Sequence, residues 1–361
     1  MWDAKTDLLA FGGSALLALG LVAMGQLTGL SNEPTPLWVY VVFVLCIDVA
    51  HVWSTLFRTY LDKEEVAKRR LLYWGLPLAC YATGVFLYAQ SALLFWRVLA
   101  YLAVFHFMRQ QVGFLAIYRA KAGYFSKLDR TLDNTFLYLS MGLPVLYWHA
   151  HLPRTFRWFI ADDFIASERL RALFPRVFPA LVGLYLGFIA LYVARQLWHV
   201  LQKRVIEVGR LLLAGTTAMA WWTGIVLTDS DFDFTVTNVT LHGVPYFFLL
   251  WRYSNARKYE APSSMGSKLL GGGIAAFLLF LFSIAFVEEL LWDRFIFHDH
   301  GWLFGASTGV ANGTLVLLVP LLALPQSTHY ALDAFLWRRR DVTPAQSIAL
   351  GFVSPAVSPR S

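Results

Sequence analysis

The chain has 361 residues, 58% of them hydrophobic and only 15% charged, with 29 Phe, 16 Tyr and 14 Trp and a mean hydropathy of +0.54. Soluble domains run near 45–50% apolar and about a quarter charged, so these proportions exclude a soluble domain, a disordered chain, a collagen-like repeat and a disulfide scaffold. They fit an all-α, polytopic transmembrane helix bundle, in which the net charge of +7 reflects basic cytoplasmic loops rather than a nucleic-acid partner.

A hydrocarbon core of about 30 Å takes roughly 20 apolar residues per helix. In chain order the spans fall at 8–30, 37–57, 71–90, 92–118, 131–150, 177–200, 211–228, 234–251, 269–290 and 310–337. The N-terminus has no basic segment ahead of its long apolar run, so the first span reads as retained rather than cleaved. Cys46 and Cys80 lie inside apolar segments, which argues against a disulfide framework. Between the fifth and sixth spans, residues 152–176 set Phe156, Phe159, Ile160, Phe164, Leu170 and Phe174 among Arg and Asp. That amphipathic stretch reads as a helix on the outer interface, with an ordinary packed loop as the alternative. Pro320 and Pro325 interrupt the last span, which should kink or split there.

Basic residues orient this set. The loops 58–70, 119–130, 201–210, 252–268 and 338–341 hold 19 Lys and Arg, whereas 31–36, 152–176, 229–233 and 291–301 hold 6. Both termini are therefore placed in the cytoplasm, and the chain in the inner (cytoplasmic) membrane. Residues 1–341 read as one transmembrane domain and 342–361 as a flexible cytoplasmic tail.

Nine histidines are present. His149, His151, His298 and His300 fall on the outer side and His199 at the inner interface. His51, His106, His242 and His329 lie within spans. They precede Arg58, Arg119, Arg252 and Arg338 by 7, 13, 10 and 9 residues. At a rise of 1.5 Å per residue those offsets become depths of roughly 10, 20, 15 and 14 Å. Asp48, Arg109, Gln110, Gln111, Asn238 and Asp333 share the layer. Polar groups in hydrocarbon face the bundle interior with a partner, and neutral imidazole is the commonest side-chain metal ligand. An imidazole set suits Zn, Cu, Fe or Ni, with Asp48 and Asp333 able to accept the second ring N–H of a ligand. The competing view makes each histidine an interhelical hydrogen-bonding group.

Other patterns carry less. Asp229-Ser-Asp231-Phe-Asp233 begins like a calcium loop but lacks its later Gly and Glu. His298-Asp299-His300, near Glu288, Glu289 and Asp293, is either an acidic rim or an outward-facing divalent-ion site. No Lys lies mid-span, which argues against a retinal Schiff base, and no G-x-S-x-G elbow occurs.

Four patches together resemble a family. They are His106-Phe107, His242, His51 with Asp48, and Pro325-Gln-Ser-Thr-His329-Tyr-Ala-Leu-Asp333. They look distantly like the bacterial Brp/Blh-type membrane oxygenases that cleave β-carotene to retinal. Gln110 stands where that family has an acid, and Tyr246 where it has the second histidine of a pair. The resemblance implies histidines from several helices around a non-haem iron.

The combined reading is a membrane metal-dependent oxidoreductase or oxygenase acting on a carotenoid-like or other lipid-soluble substrate. His51, His106, His242 and His329 hold Fe(II), with Zn or Cu as alternatives. Asp48, Arg109 and Asp333 take catalytic roles, and Gln110, Asn238 and Tyr246 contact substrate. Two other classes stay open. One is an MBOAT-like acyltransferase using His242 with Asn238 one turn earlier. The other is a proton-coupled transporter or lipid-binding scaffold relaying through Asp48, His51, Arg109 and Asp333.

Overall fold

A computed structural model describes residues 2–122, 126–204, 206–337 and 342–352. Among them no strand occurs, and ten long helices follow the ten expected spans in order. They are α1 (Ala4–Thr28), α2 (Leu37–Arg58), α3 (Arg70–Gln90), α4 (Ala92–Ala122), α6 (Glu168–Leu201), α7 (Val208–Leu227), α9 (Met265–Phe297) and α10 (Asn312–Leu336), with α5 (Lys127–Ala150) and α8 (Asp231–Glu260) between them. The first eight named are long and apolar enough to cross a membrane. Helices α5 and α8 form at 24 and 30 residues, but both carry charges at their ends. Asp129, Arg130 and Asp133 open α5, and Arg257 and Lys258 close α8.

Contacts divide the chain into two compact units. The first comprises Met1–Pro36, Val104–Pro245 and Ser347–Ser361. In it α5 packs on α6 and α7, and α7 packs on α1. Buried charged residues also stitch these helices together. Asp129, 3% exposed, accepts from Arg195 Nε at 2.7 Å and from His199 Nε2 at 3.0 Å. Asp133, 1% exposed, takes Arg210 and the Tyr192 hydroxyl. A buried carboxylate is tolerable only with such partners.

The second unit comprises Leu37–Ala103 and Tyr246–Gln346. Here α9 packs on α2, and α10 packs on α3 and α2. At one end the fully buried Arg58 pairs with Glu65 at 3.2 Å and lies 4.7 Å from the Tyr253 ring centre. Beside it Asp62 caps the short helix Lys63–Lys68 and takes Arg257 Nε at 2.6 Å.

Two local expectations change and one is met. The outer segment is helical only from Glu168, capped by Ser167. Residues 152–167 form an irregular loop instead of an interfacial helix. Asp163 Oδ2 gathers the backbone N–H groups of Trp158, Phe159 and Ile160. Phe156 and Phe164 turn onto Trp148, with ring centres 4.7 and 4.4 Å away. The amphipathic pattern thus serves protein packing. At the C-terminal end, a short helix Pro344–Ala349 forms where fraying was expected from 342. Gln346 there donates to Glu260 at 2.7 Å, while the tail from 353 lies outside the described residues, as do Arg338–Asp341. The terminal span does split, with Asn312–Leu322 and Leu324–Leu336 joined at Ala323 between the two prolines.

Candidate metal centre

Each of the four intramembrane histidines stands on a different helix, α2, α4, α8 and α10, and is 1–4% exposed. On α2 the backbone is wound as π-helix through Tyr40–Val49 and returns to α-helix at Ala50–Ser54. His51 follows directly after that change, a winding defect that recurs at functional sites. Asp48 lies within it, and its Oδ1 is 3.7 Å from His51 Nδ1. That is adjacency, longer than a hydrogen bond.

On α8, Pro245 has no N–H to return to the Leu241 carbonyl four residues back. Gln111 of α4 supplies the missing donor, with Nε2 3.0 Å from Leu241 O. Gln110 Nε2 reaches the next carbonyl, His242 O, at 2.7 Å. The two glutamines therefore tie α4 to α8 at the level of His242. Its ring is further set by Phe107, stacked at 3.6 Å between centres and 8° between planes. His106 meets His242 edge-on at 5.1 Å.

Around His329 of α10 the contacts are equally specific. Its Nδ1 lies 2.7 Å from Thr55 Oγ1, one helical turn after His51. Thr55 Oγ1 is 3.2 Å from the Tyr246 hydroxyl, which donates to Asp333 Oδ1 at 2.7 Å. Trp337 Nε1 donates to the same oxygen at 3.2 Å. His329 and His51 meet edge-on at 5.1 Å, and Tyr246 sets its ring against both, at 5.3 and 5.8 Å.

His51, His106, His242 and His329 each offer one ring nitrogen, and these four atoms all lie within 4.8 Å of one another. Ligands about 2.1 Å from one ion are at most about 4.2 Å apart, and the spread of this set is of that order. The donors are chemically uniform, buried and on separate helices. The group can hold a metal ion, and the imidazole set favours transition metals over Mg or Ca.

The remaining expected site residues divide. Tyr246 stands against His329 and bonds Asp333, and Asp48 stands beside His51. Gln110 is close by, but its amide holds the backbone of α8. Asn238 is 3% exposed and hydrogen-bonds within α8, to Phe234 O at 3.2 Å and Thr237 Oγ1 at 3.3 Å. Arg109 does not join the group. It is exposed and donates to Tyr138 at 2.9 Å. Three residues on from His106 is a turn of about 300°, which carries Arg109 past the histidine and away from the buried side of α4 marked by Phe107 and Phe114.

Thr55 went unrecognised in the sequence. Its spacing of four from His51 on one helix face was the available signal. The outer acidic set does not assemble into a comparable site. Asp293 accepts the N–H groups of Asp299 and His300, Glu289 takes the Tyr40 hydroxyl and Glu288 takes Trp53 Nε1. Among the described residues no second group of three or more metal-capable side chains converges in this way.

The fold and this group together define a multi-pass helical membrane protein with a buried four-histidine centre. No family model, curated protein or solved structure matches the chain.

Proposed function

We propose that the protein is a membrane oxidoreductase that binds Fe(II) at His51, His106, His242 and His329 and acts on a lipid-soluble substrate from within the inner membrane. The observation that carries this reading is the convergence of four buried imidazoles from four helices within 4.8 Å. Structural histidines holding helices together need only one neighbour each. The likeness of His106-Phe107 and of the His329 to Asp333 segment to Brp/Blh-type oxygenases favours iron and a carotenoid-like substrate among the metals that imidazole suits. Bound Fe(II) would supply redox chemistry with dioxygen.

The chain's own residues set the conditions for that chemistry. Burial of all four rings keeps bulk water from the centre, which strengthens every electrostatic interaction made there. Tyr246, Thr55 and Asp333 hold His329, Phe107 and Gln110 hold His242, and Asp48 stands beside His51. A lipid-soluble substrate would reach the centre from the bilayer, the phase that the large exposed apolar side chains of the spans, such as Leu16, Leu78, Leu184 and Leu279, suit.

Reconstituted protein loaded with Fe(II), Zn(II) or no metal and supplied with β-carotene and total membrane lipid under air tests the assignment. Iron-dependent oxygenated or cleaved product is expected. Metal-independent acyl transfer, lost only in His242→Ala, would replace the reading with the acyltransferase class. Proton-driven uptake without turnover would replace it with transport.

A further inference from the structure

We infer that Thr55, Tyr246 and Asp333 form a one-directional hydrogen-bond relay that holds His329 in the tautomer protonated on Nδ1, making Thr55 a positioning residue of the centre. The inference rests on the metal reading for its purpose, but its geometry stands independently.

The polarity follows from counting protons. The Trp337 indole N–H can only donate, and it does so to Asp333 Oδ1, so that oxygen is an acceptor. The Tyr246 hydroxyl, 2.7 Å from the same oxygen, has one proton and gives it there. Its contact with Thr55 at 3.2 Å must then run the other way, with Thr55 Oγ1–H donating to the Tyr246 oxygen. Thr55 also has one proton, now committed. The remaining contact, Thr55 Oγ1 to His329 Nδ1 at 2.7 Å, can form only if the proton sits on Nδ1. A neutral imidazole protonated at Nδ1 keeps its lone pair on Nε2, the form that ligates a metal through Nε2. The Tyr246 and Thr55 side chains are 1% and 5% exposed, so a mismatch in this chain would leave a buried polar group unsatisfied.

Sequence spacing accounts for how the relay is reached. Thr55 lies one turn from His51 on α2, and Tyr246 one turn from His242 on α8. Asp333 is one turn beyond His329 on α10, and Trp337 is the residue that caps its end one turn further. Three helices thus contribute one relay member or more beside a ligand. Outer partners of this kind fix ring orientation and tautomer, and removing them typically costs about 10–100-fold in metal affinity.

Solid-state NMR of full-length protein labelled with 15N-histidine, with His329 assigned by signal loss in His329→Gln, reads the tautomer directly. An Nδ1–H resonance in the metal-free protein is expected, and an Nε2–H tautomer overturns the inference. Thr55→Val and Tyr246→Phe should each lower iron affinity by about 10–100-fold, with Thr55→Ser restoring it. Unchanged affinity in Thr55→Val also overturns the inference. An Nδ1–H resonance in a wild type that binds no metal would leave the relay in place and remove the metal reading instead.

Discussion

Gln111 and Asp62 are residues whose partners no hydropathy pattern names, and both end on groups that the backbone or a charge leaves in need. Gln111 donates to the carbonyl that Pro245 strands. Gln111→Leu should therefore cost about 1–3 kcal/mol, the penalty for leaving a buried carbonyl unsatisfied, read as a lower thermal unfolding midpoint in detergent. Asp62 lies outside the spans. Burial alone would raise its carboxyl, but Arg257 and the N–H groups of Glu65 and Glu64 outweigh that and hold it below the usual carboxylate range. A depressed folded value means stabilisation that is complete above the unfolded pKa of about 3.9 and lost as pH falls through the folded value. Asp62→Asn should be less stable than wild type at neutral pH, with a flatter decline between about pH 5 and the acid limit. Parallel acid limbs for the two proteins would contradict the pairing. At this scale the four histidines were legible because ionisable groups are rare in spans. Thr55 was not, since a threonine in an apolar helix is unremarkable until its neighbour is known.

Helix α8 shows how an element can be broken in a way that assembles a site. The proline that removes a helical hydrogen bond makes the Leu241 carbonyl available, and α4 answers with adjacent glutamines. The dependence gives a double-mutant prediction. In a Pro245→Ala background the backbone N–H returns, so Gln111→Leu should become less costly than in wild type. Additive penalties would mean that Gln111 stabilises α8 by some other route. Elements were readable wherever apolar length decided them, as in α2, α3 and the proline-split α10. The segment 152–167 takes the packed-loop alternative over the interfacial helix, as one carboxylate, Asp163, organises three backbone N–H groups. Periodicity has no access to such a bond. Arg109 was misplaced for a related reason: its depth was readable, but its rotation about α4 was not.

At the scale of the whole molecule, charge asymmetry makes a testable statement about sidedness. With Cys46 and Cys80 replaced by Ser, single cysteines at the exposed positions Lys63 and Lys268 should react with a membrane-impermeant maleimide only in inverted vesicles. A cysteine at Asp299 should react only in right-side-out cells, and the reverse pattern would invert the proposed topology. Ten long helices, eight of them long and apolar enough to cross a membrane, and one histidine layer were visible in the sequence, because bilayer thickness converts residue counts into depth. Convergence of the histidines within that layer required the packed helices. The central claim is that this convergence binds a transition metal, and elemental analysis of the purified protein tests it most directly. Near-stoichiometric iron in the wild type, and its loss in His51→Ala, His106→Ala, His242→Ala and His329→Ala, is the expected result. Trace metal in the wild type, or a transition-metal content unchanged by all four substitutions, would contradict it.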